Sequence, residues 1–385
     1  MQRIKLLFII TKLELGGAQK QLLNLIAGLD QTRFQVFLFT AQEGLLVEEA
    51  QALAGLEVKK SKYLERPLHL FKDILAFFEL RSFMKNRKID IVHTHSSKAG
   101  ILGRWAARSA GIRNIAHTVH GWSFHDYQGP VQKVFFIFLE RITARFTSKL
   151  IVVCQCDKLR GLKEQIGREA QYAIITYGIK HEDFSWDKRE AREMLGFSCE
   201  DTLVGMISCF KPQKSPQDFI HLADLSRDIS AQIQFVLVGD GLLRREIEKL
   251  IRKSGLEEKV VLTGWRRDIP RLLAAFDILI LTSLWEGLPI VILEAMAASL
   301  AVITTDTGGT REIVRDGENG FLVPRRDTSK MCQRLVLLLK DTALRQSMGL
   351  AAKNSIASSF HFDDLVRRHA DLYYNFMAER ISRAD

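Results

Sequence analysis

Two glutamates stand at a fixed spacing within residues 282–297, with seven residues between Glu286 and Glu294. An ionised carboxylate only accepts hydrogen bonds, so both side chains suit the paired hydroxyls of a sugar ring. The segment follows a predicted apolar strand at 276–281, and Pro289 has its φ preset for the first position of a helix. Glu286 would therefore lie in a loop and Glu294 about 7 to 8 Å further along the helix axis.

The start of this helix, predicted over 289–298, is suited to an anion. The first N–H groups of a helix have no partner within it, and the helix dipole adds positive charge there. Groups near residues 288–291 could hydrogen-bond a diphosphate, whose two ends would lie near the two carboxylates. An ordinary strand-loop-helix unit with two solvated glutamates is the alternative.

The segment resembles the E-x7-E motif of the family 4 glycosyltransferases through Glu286, Gly287, Pro289 and the run Glu294-Ala-Met-Ala297. In that family, which has the GT-B fold, the first glutamate contacts the donor sugar and the second contacts the nucleotide ribose. The resemblance covers nearly the whole chain. It is weak over 30–90 and strong over 200–325.

Length and element order fit what the resemblance implies. The chain of 385 residues is long enough for two α/β domains, and strands alternate with helices in both halves. We expect two doubly wound Rossmann-like domains with a cleft between them. The acceptor-binding domain would span 1–180 and the nucleotide-sugar domain 181–360, and a helix at 361–385 would cross back to the first domain. The strand 301–305 is predicted to be the last.

Four histidines follow two neighbouring predicted strands, His93 and His95 after one and His117 and His120 after the next. The carboxyl ends of parallel strands share one edge, so these side chains should gather there. They could be strand-end histidines held by hydrogen bonds, a metal site or part of a sugar site. His120, followed by Gly121, resembles the family histidine that hydrogen-bonds the donor sugar near its C6 hydroxyl.

Two glycines, Gly16 and Gly17, follow the first predicted strand and precede a helix. Glycine allows backbone N–H groups to come close to a phosphate or sugar, although a tight turn would need the same residues. The pair resembles the family loop that borders the donor diphosphate and the acceptor.

The segment 208–215 resembles the family pattern Gly-Arg-Leu-x-x-x-Lys-Gly, whose Arg and Lys bind the donor diphosphate. Lys214 matches the lysine, but Cys209 stands where the family has arginine. We expect Lys211 to supply the second cation, although lysine lacks the two-pronged geometry of arginine. Tyr177 likewise replaces the usual asparagine in the segment that leads out of the first domain.

The resemblance implies catalytic roles for three residues: His120, Glu286 and Lys214. Donor binding is expected of Gly16, Gly17, Lys211, Lys214, Glu286, Gly287, Leu288, Pro289, Ile290 and Glu294. No D-x-D occurs in the sequence, so no metal site and no cofactor is expected beyond the nucleotide-sugar co-substrate. Lysines and helix N-termini would carry the leaving charge. The family retains anomeric configuration, by front-face displacement in which a leaving oxygen takes the acceptor proton.

Charge is distributed unevenly along a chain of net charge +10. Residues 1–180 carry 27 Lys and Arg against 15 Asp and Glu, whereas 181–385 carry 28 against 30. A basic half suits anionic phospholipid or an acceptor linked to polyprenyl diphosphate. Nucleic acid is disfavoured because no helix-turn-helix, RNP or zinc-finger signature occurs.

Two predicted helices, at 68–86 and 130–147, carry more apolar residues than one stripe requires. We predict that both pack within the domain, with contact to a membrane surface as the alternative. No apolar run approaches the roughly 18 residues that span a bilayer, and the run at 4–10 is too short for a signal peptide. A cytoplasmic protein, with peripheral contact at the inner face of the membrane, is therefore expected.

The five cysteines form no C-x-x-C pair and are odd in number. Neither a disulfide framework nor a zinc ribbon is indicated, and we expect most of them to be buried, reduced and inert.

The predicted function is retaining transfer of a hexose or N-acetylhexosamine from a nucleotide sugar, with UDP as the expected nucleotide. The acceptor would be a glycan or lipid-linked glycan of polysaccharide biosynthesis. A GT-B sugar-nucleotide epimerase and a non-catalytic nucleotide-sugar-binding protein are the alternatives, and Cys209 favours the second. The absence of G-x-G-x-x-G disfavours a dinucleotide oxidoreductase.

Overall fold

A computed structural model describes residues 3–230 and 232–382. The chain divides into two compact units: unit 1 comprises 1–178 and 362–385, and unit 2 comprises 179–361. The predicted boundaries lie within two residues of these divisions. Residues 1–2, 231 and 383–385, which the predicted domains include, lie outside the described residues.

Unit 1 contains a parallel sheet of seven strands. They are β1 (Ile4–Ile9), β2 (Phe34–Ala41), β3 (Leu56–Ser61), β4 (Ile91–His95), β5 (Asn114–Val119), β6 (Lys149–Val152) and β7 (Tyr172–Ile174). Their order is β3-β2-β1-β4-β5-β6-β7. Residues of β1 alternate between two cores, with Leu6 and Phe8 in one and Leu7 and Ile9 in the other. The sheet is therefore covered on both faces, as parallel sheets usually are.

Six helices connect these strands: α1 (Gly17–Gly28), α2 (Val47–Ala52), α3 (Leu70–Arg87), α4 (Ser97–Ser109), α5 (Pro130–Ala144) and α6 (Gln155–Lys163). Helices α1 and α2 contribute to the core that contains Leu6, and α3 and α4 to the core that contains Leu7. Helix α4 packs against both α3 and α5.

Unit 2 contains a second parallel sheet, of six strands. They are β8 (Thr202–Ile207), β9 (Ile233–Val238), β10 (Val260–Gly264), β11 (Ile278–Leu281), β12 (Ala301–Thr305) and β13 (Phe321–Val323), in the order β10-β9-β8-β11-β12-β13. Its helices are α7 (Lys188–Leu195), α8 (Pro216–Leu225), α9 (Arg244–Ser254), α10 (Ile269–Ala275), α11 (Ile290–Ala297), α12 (Thr310–Ile313), α13 (Thr328–Lys340) and α14 (Thr342–Ile356). Strand β13 was not predicted, because three residues are too few for a periodic pattern.

The last helix, α15 (Phe362–Ser382), returns to unit 1. Leu372, Tyr373 and Phe376 are buried in the same core as α1. Arg368 donates a hydrogen bond of 2.6 Å to the carbonyl oxygen of Ile174 at the end of β7. Unit 1 is therefore built from both ends of the chain.

Strand order reverses between β1 and β4 in unit 1 and between β8 and β11 in unit 2. Both sheets are thus doubly wound, which confirms the predicted α/β class. In such sheets ligands bind beyond the carboxyl ends of the strands that flank the reversal. The loops after these four strands are where functional side chains should be sought.

The prediction that α3 and α5 pack within the domain is wrong for many of their apolar side chains. Ala76, Leu80 and Met84 of α3 are buried, but Phe71 is 83% exposed, as is Val131 of α5. An apolar side chain on every face of a helix cannot show which face is covered. Among the described residues no helix is long and apolar enough to cross a bilayer.

The prediction that most cysteines are buried is also wrong. Only Cys154 is buried, Cys199 is exposed, and Cys156, Cys209 and Cys332 are partly exposed.

Candidate active site

Two loops of unit 2 are tied together beside the reversal of strand order. One follows β8 and leads to α8, and the other follows β11 and leads to α11. The hydroxyl of Thr282 lies 2.8 Å from the carbonyl oxygens of Lys214 and Ser215 and donates to them. Gln213 accepts a hydrogen bond of 2.7 Å from the Leu284 N–H. These bonds fix the position of Lys214 relative to the loop that carries Glu286.

Lys214 and Glu286 form an ion pair between Nζ and Oε1. The side chains are 17% and 7% exposed, respectively, so water and salt screen the pair weakly. Gln213 Nε2 donates to Glu286 Oε2 at 3.4 Å and to the Trp285 carbonyl at 2.8 Å. The structure therefore brings together two of the three residues predicted to be catalytic.

Helix α11 begins one residue later than predicted, because Pro289 precedes it with φ −76° and ψ 106°. Proline offers no side-chain cap to the N–H groups of the first turn, so the backbone there can still bind an anion. Gly287, Leu288 and Pro289 are buried beside it. Within α11 only Ile290 and Glu294 are not buried, and Glu294 lies on the second turn, as predicted.

The loop that carries Glu286 is supported by Gly308. A Cβ at Gly308, whose φ is 47°, would lie 2.0 Å from the Glu286 carbonyl oxygen, so no other residue fits there. The Gly309 N–H donates to the Gly287 carbonyl at 2.7 Å. The backbone on both sides of the glutamate is thus held from the segment after β12.

Lys211 precedes the short 3-10 turn Pro212–Lys214 and is partly exposed. Cys209 lies two residues earlier in the same loop and is also partly exposed. Diphosphate binding by Lys211 remains a prediction, supported by its place in the loop of Lys214.

In unit 1, a hydrogen-bonded chain connects His95, His120 and Tyr177. His95 Nδ1 lies 2.9 Å from His120 Nε2, and His120 Nδ1 lies 2.7 Å from the Tyr177 hydroxyl. Both ring nitrogens of His120 are therefore bonded within the protein. His95 Nε2 is buried and has no hydrogen-bond partner among the described residues.

The other two histidines have separate partners. His93 lies 2.7 Å from the Tyr373 hydroxyl of α15 and 2.7 Å from the Thr118 hydroxyl. His117 Nδ1 lies 2.9 Å from the Thr94 hydroxyl. Among the described residues, the four histidines do not bring three ligand atoms together. The arrangement corresponds to histidines held by hydrogen bonds at strand ends.

Burial keeps these imidazoles neutral at pH 7. It lowers the pKa of His120 to about 4, and the charge of His369 on α15 adds to the effect. The pKa of His369 is also lowered to about 4, mainly by burial. Burial holds the pKa values of His93, His95 and His117 well below their usual range. A neutral ring both donates and accepts a hydrogen bond, so His120 could bind a sugar hydroxyl by giving up its bond to His95 or to Tyr177.

The reversal point of unit 1 is held by Thr11 and Ser96. Their hydroxyls lie 2.8 Å apart, and Thr11 Oγ1 also accepts from the Ala99 N–H at 3.1 Å. Ser96 has φ 62° and ψ 157°, a region that residues other than glycine rarely adopt. Gly16 is the residue before α1, and Gly17 begins that helix.

Sequence reasoning missed Gln213, Thr282 and the bond between His120 and Tyr177. Gln213 could have been noticed because it precedes Lys214, and Thr282 because it ends a buried strand. Tyr177 is 57 residues from His120, and no local pattern links them.

Comparison with known proteins identifies the family of both units. Residues 15–181 match the model of "Glycosyltransferase Family 4", and residues 187–355 match that of "Glycosyl transferases group 1". The two matches together cover most of both units.

Two relatives extend over almost the whole chain. The Escherichia coli UDP-Gal:alpha-D-GlcNAc-diphosphoundecaprenol alpha-1,3-galactosyltransferase is 32% identical, over 94% of this chain and 97% of its own. The Campylobacter jejuni N,N'-diacetylbacillosaminyl-diphospho-undecaprenol alpha-1,3-N-acetylgalactosaminyltransferase is 27% identical, over 91% and 93%.

Among solved structures, Anabaena HepE in complex with UDP-glucose matches with a TM-score of 0.85 and 22% identity, covering 97% of this chain and 100% of that one. This likeness supports the predicted GT-B fold, and the relatives support transfer over the epimerase and non-catalytic alternatives. The chain is therefore a member of the family 4 glycosyltransferases.

Proposed function

We propose that this enzyme transfers a hexose or N-acetylhexosamine from a UDP-sugar to a glycan linked to a polyprenyl diphosphate. The observation that carries the donor half is the Lys214–Glu286 pair beside the start of α11. The E. coli and C. jejuni relatives, which are named for acceptors on undecaprenyl diphosphate, support the acceptor half.

In this proposal Lys214 and the N-terminus of α11 bind the donor diphosphate. The bond between the anomeric carbon and a diphosphate oxygen breaks, and its electron pair remains on the diphosphate. An ammonium and backbone N–H groups stabilise this developing charge. Lys211 contributes the second cation in the position of the family arginine.

Glu286 positions the sugar, and Glu294 binds the ribose hydroxyls. The ion pair gives each charge a partner whenever no donor is bound, because an unpaired charge in so buried a place would be costly. On donor binding, Lys214 turns to the diphosphate and the Glu286 carboxylate accepts hydrogen bonds from sugar hydroxyls.

We propose that His120 exchanges its hydrogen bond with His95 for one to the sugar near C6, and that configuration is retained. The acceptor oxygen bonds to the face that the diphosphate leaves, and its proton passes to a leaving diphosphate oxygen. With the leaving charge held by lysines and N–H groups, the reaction needs no metal ion or cofactor. Rates without and with added Mg²⁺ or Mn²⁺ should then be equal, and the product linkage should be of the same anomeric type as the donor.

The donor half can be tested by isothermal titration of the purified enzyme with a panel of UDP-sugars. Glu286→Gln should weaken binding of the preferred donor about 10- to 100-fold, since a hydrogen bond to a charged group contributes about 1.5 to 3 kcal/mol. The control is Glu193→Gln, on α7 and 60% exposed. Equal affinities of Glu286→Gln and the control would remove Glu286 from the site.

We also propose that unit 1 contacts the cytoplasmic face of the membrane, where a lipid-linked acceptor would lie. Helices α3 and α5, which both pack against α4, expose large apolar side chains. These are Leu70, Phe71, Ile74, Leu75 and Phe78 of α3 and Val131, Val134, Phe135 and Phe138 of α5. A wide exposed apolar patch marks an interaction surface, and the positive charge of residues 1–180 favours anionic lipid.

Sedimentation with phosphatidylglycerol vesicles tests this contact. The double variant Phe71→Ser and Val131→Ser should reduce the bound fraction severalfold, because it removes two highly exposed apolar groups. Leu242→Ser is the control, since Leu242 is 84% exposed but belongs to unit 2. Equal binding by the double variant and the wild type would contradict the proposal.

A further inference from the structure

Three side chains with metal-binding atoms lie close together at the start of α6, just after β6. Cys154 is the residue before the helix, and Cys156 and Asp157 lie in its first turn. The two Sγ atoms are 3.1 Å apart, and Cys154 Sγ lies 3.4 Å from Asp157 Oδ2. All three ligand atoms lie within 4.8 Å of one another.

Helix capping explains only part of this cluster. The residue before a helix and its third residue commonly meet, and that accounts for Cys154 and Asp157. It does not require the thiol of Cys156 to lie against that of Cys154. The spacing C-x-C-D differs from the C-x-x-C of a zinc ribbon, so the sequence alone does not predict a metal site here.

We propose that Cys154, Cys156 and Asp157 form a binding site for a thiophilic divalent cation such as Zn²⁺. Two thiolates and one carboxylate are a ligand set for zinc, whereas Mg²⁺ and Ca²⁺ prefer oxygen alone. Binding such a cation displaces the protons of both thiols into solvent, and the cation charge then offsets the repulsion among the three anionic ligands.

The geometry requires only a small adjustment. Zinc–sulfur bonds of 2.3 Å in a tetrahedral site place two sulfurs about 3.8 Å apart, which is slightly more than the distance in the structure. Cys154 and Asp157 are fixed by burial, whereas Cys156 is partly exposed and can rotate. The fourth position would be taken by water or by an exogenous ligand.

The site has a structural link to the predicted sugar site of unit 1. Trp122 Nε1 donates a hydrogen bond of 2.8 Å to the Asp157 carbonyl oxygen, and Trp122 is two residues after His120. A cation at this site would fix the start of α6, to which the segment that carries His120 is hydrogen-bonded. It acts on structure and takes no part in the transfer, so the inference does not depend on the donor or acceptor.

Co²⁺ binding to the full-length, reduced and chelator-treated protein tests the site. Thiolate-to-cobalt charge-transfer absorption should appear at one equivalent and disappear when Zn²⁺ is added. Cys156→Ser should weaken Co²⁺ binding at least tenfold and abolish most of that absorption. Cys332→Ser, a partly exposed cysteine of unit 2, is the matched control and should bind as the wild type does.

A melting curve of each variant without metal separates lost binding from lost folding. Added Zn²⁺ should raise the melting temperature of the wild type and of Cys332→Ser, but not that of Cys156→Ser. If the wild type shows no thiolate-to-cobalt absorption, or if Cys156→Ser keeps it, the site does not exist. Asp157→Asn, which keeps the shape of the carboxylate, should give an intermediate affinity.

Discussion

In both units, polar side chains lie near the strands that flank the reversal of strand order. These side chains are charged in unit 2 and neutral in unit 1. At the reversal of unit 2, Lys214 and Glu286 carry full charges and are paired. At the ends of β4 and β5 in unit 1, five histidines, counting His369 of α15, are kept neutral by burial. Charged groups suit a diphosphate and neutral donor-acceptor groups suit hydroxyls. The same doubly wound fold can thus present charged groups suited to a diphosphate in one unit and neutral groups suited to hydroxyls in the other.

The largest expected difference between the units is that unit 1 loses more stability in acid than unit 2 does. The pKa values of His120 and His369 are about 4 in the folded chain and about 6.5 when unfolded. The unfolded state therefore binds more protons below pH 6.5, so stability is lost as pH falls from about 6.5 to 4. Between pH 7 and 5 each histidine should cost unit 1 about 2 kcal/mol.

Hydrogen exchange by mass spectrometry at pH 7 and 5, corrected for intrinsic rates, measures this difference. Peptides from β4 and α15 should lose protection before those from β11 and α11. None of the three histidines of unit 2, His181, His221 and His361, is buried. Equal losses of protection in the two units would contradict the expected difference in acid stability.

The next largest effect is expected from Lys214→Ala. It removes the cation that would stabilise the leaving diphosphate and leaves the Glu286 carboxylate without its ion-pair partner. We expect kcat/KM to fall about 10²- to 10³-fold, as for other groups that stabilise transition-state charge. Initial rates at varied donor concentration measure it, with Lys253→Ala on the exposed side of α9 as the control. A change below threefold would be incompatible with the proposed role.

A smaller effect is expected from Tyr177→Phe, which removes the hydroxyl bonded to His120 Nδ1. Loss of one such hydrogen bond costs about 1 kcal/mol, so kcat/KM should fall about fivefold. Affinity for UDP should stay unchanged, because Lys214 and the start of α11, the proposed ligands of the diphosphate, belong to unit 2.

Tyr172→Phe is the matched control for this change. It removes another buried hydroxyl of unit 1, one that donates to the Ile166 carbonyl at 2.6 Å. If Tyr177→Phe and Tyr172→Phe lower kcat/KM equally, the hydroxyl of Tyr177 acts only on stability. A loss of UDP affinity in Tyr177→Phe would also contradict the separation of roles.

The smallest effect concerns Ser96, whose φ is 62°. Ser96→Ala loses the bonds to Thr11 but keeps the strained backbone, so it should lower the free energy of unfolding by about 1 kcal/mol. Ser96→Gly loses the same bonds but relieves the strain, and the two terms should nearly cancel. Urea unfolding of both variants compares them. A glycine variant less stable than the alanine variant would show that the backbone at Ser96 is unstrained.

The difference between the two units also explains which of their features the sequence could predict. Strand-loop-helix order, the loop of Glu286 and the helix of Glu294 follow from periodicity and from glycine and proline positions, all of which are local. Unit 2 depends mostly on such signals, and Lys214 was found through its motif. The Lys214–Glu286 bond itself joins residues 72 apart, and no pattern specified it.

Unit 1 was less predictable because its network depends on distant residues and on burial. The partners of His120 and His93 lie on other elements, at Tyr177 and Tyr373. The exposure of α3 and α5 could not be read from apolar content, since a helix that is apolar on several faces resembles a buried one. The spacing of Cys154 and Cys156 is not that of a C-x-x-C pair, so it predicts no site by itself.

The return of α15 to unit 1 has a consequence for biosynthesis. Tyr373, which bonds His93, is 280 residues further along the chain. At about 5 to 20 residues per second, a ribosome needs roughly 14 to 56 s to add it after His93. During that interval the nascent first unit lacks part of its core, although unit 2 can fold as soon as it emerges. The enzyme should therefore mature from the middle of its sequence outwards, and chains that stop early should depend on chaperones.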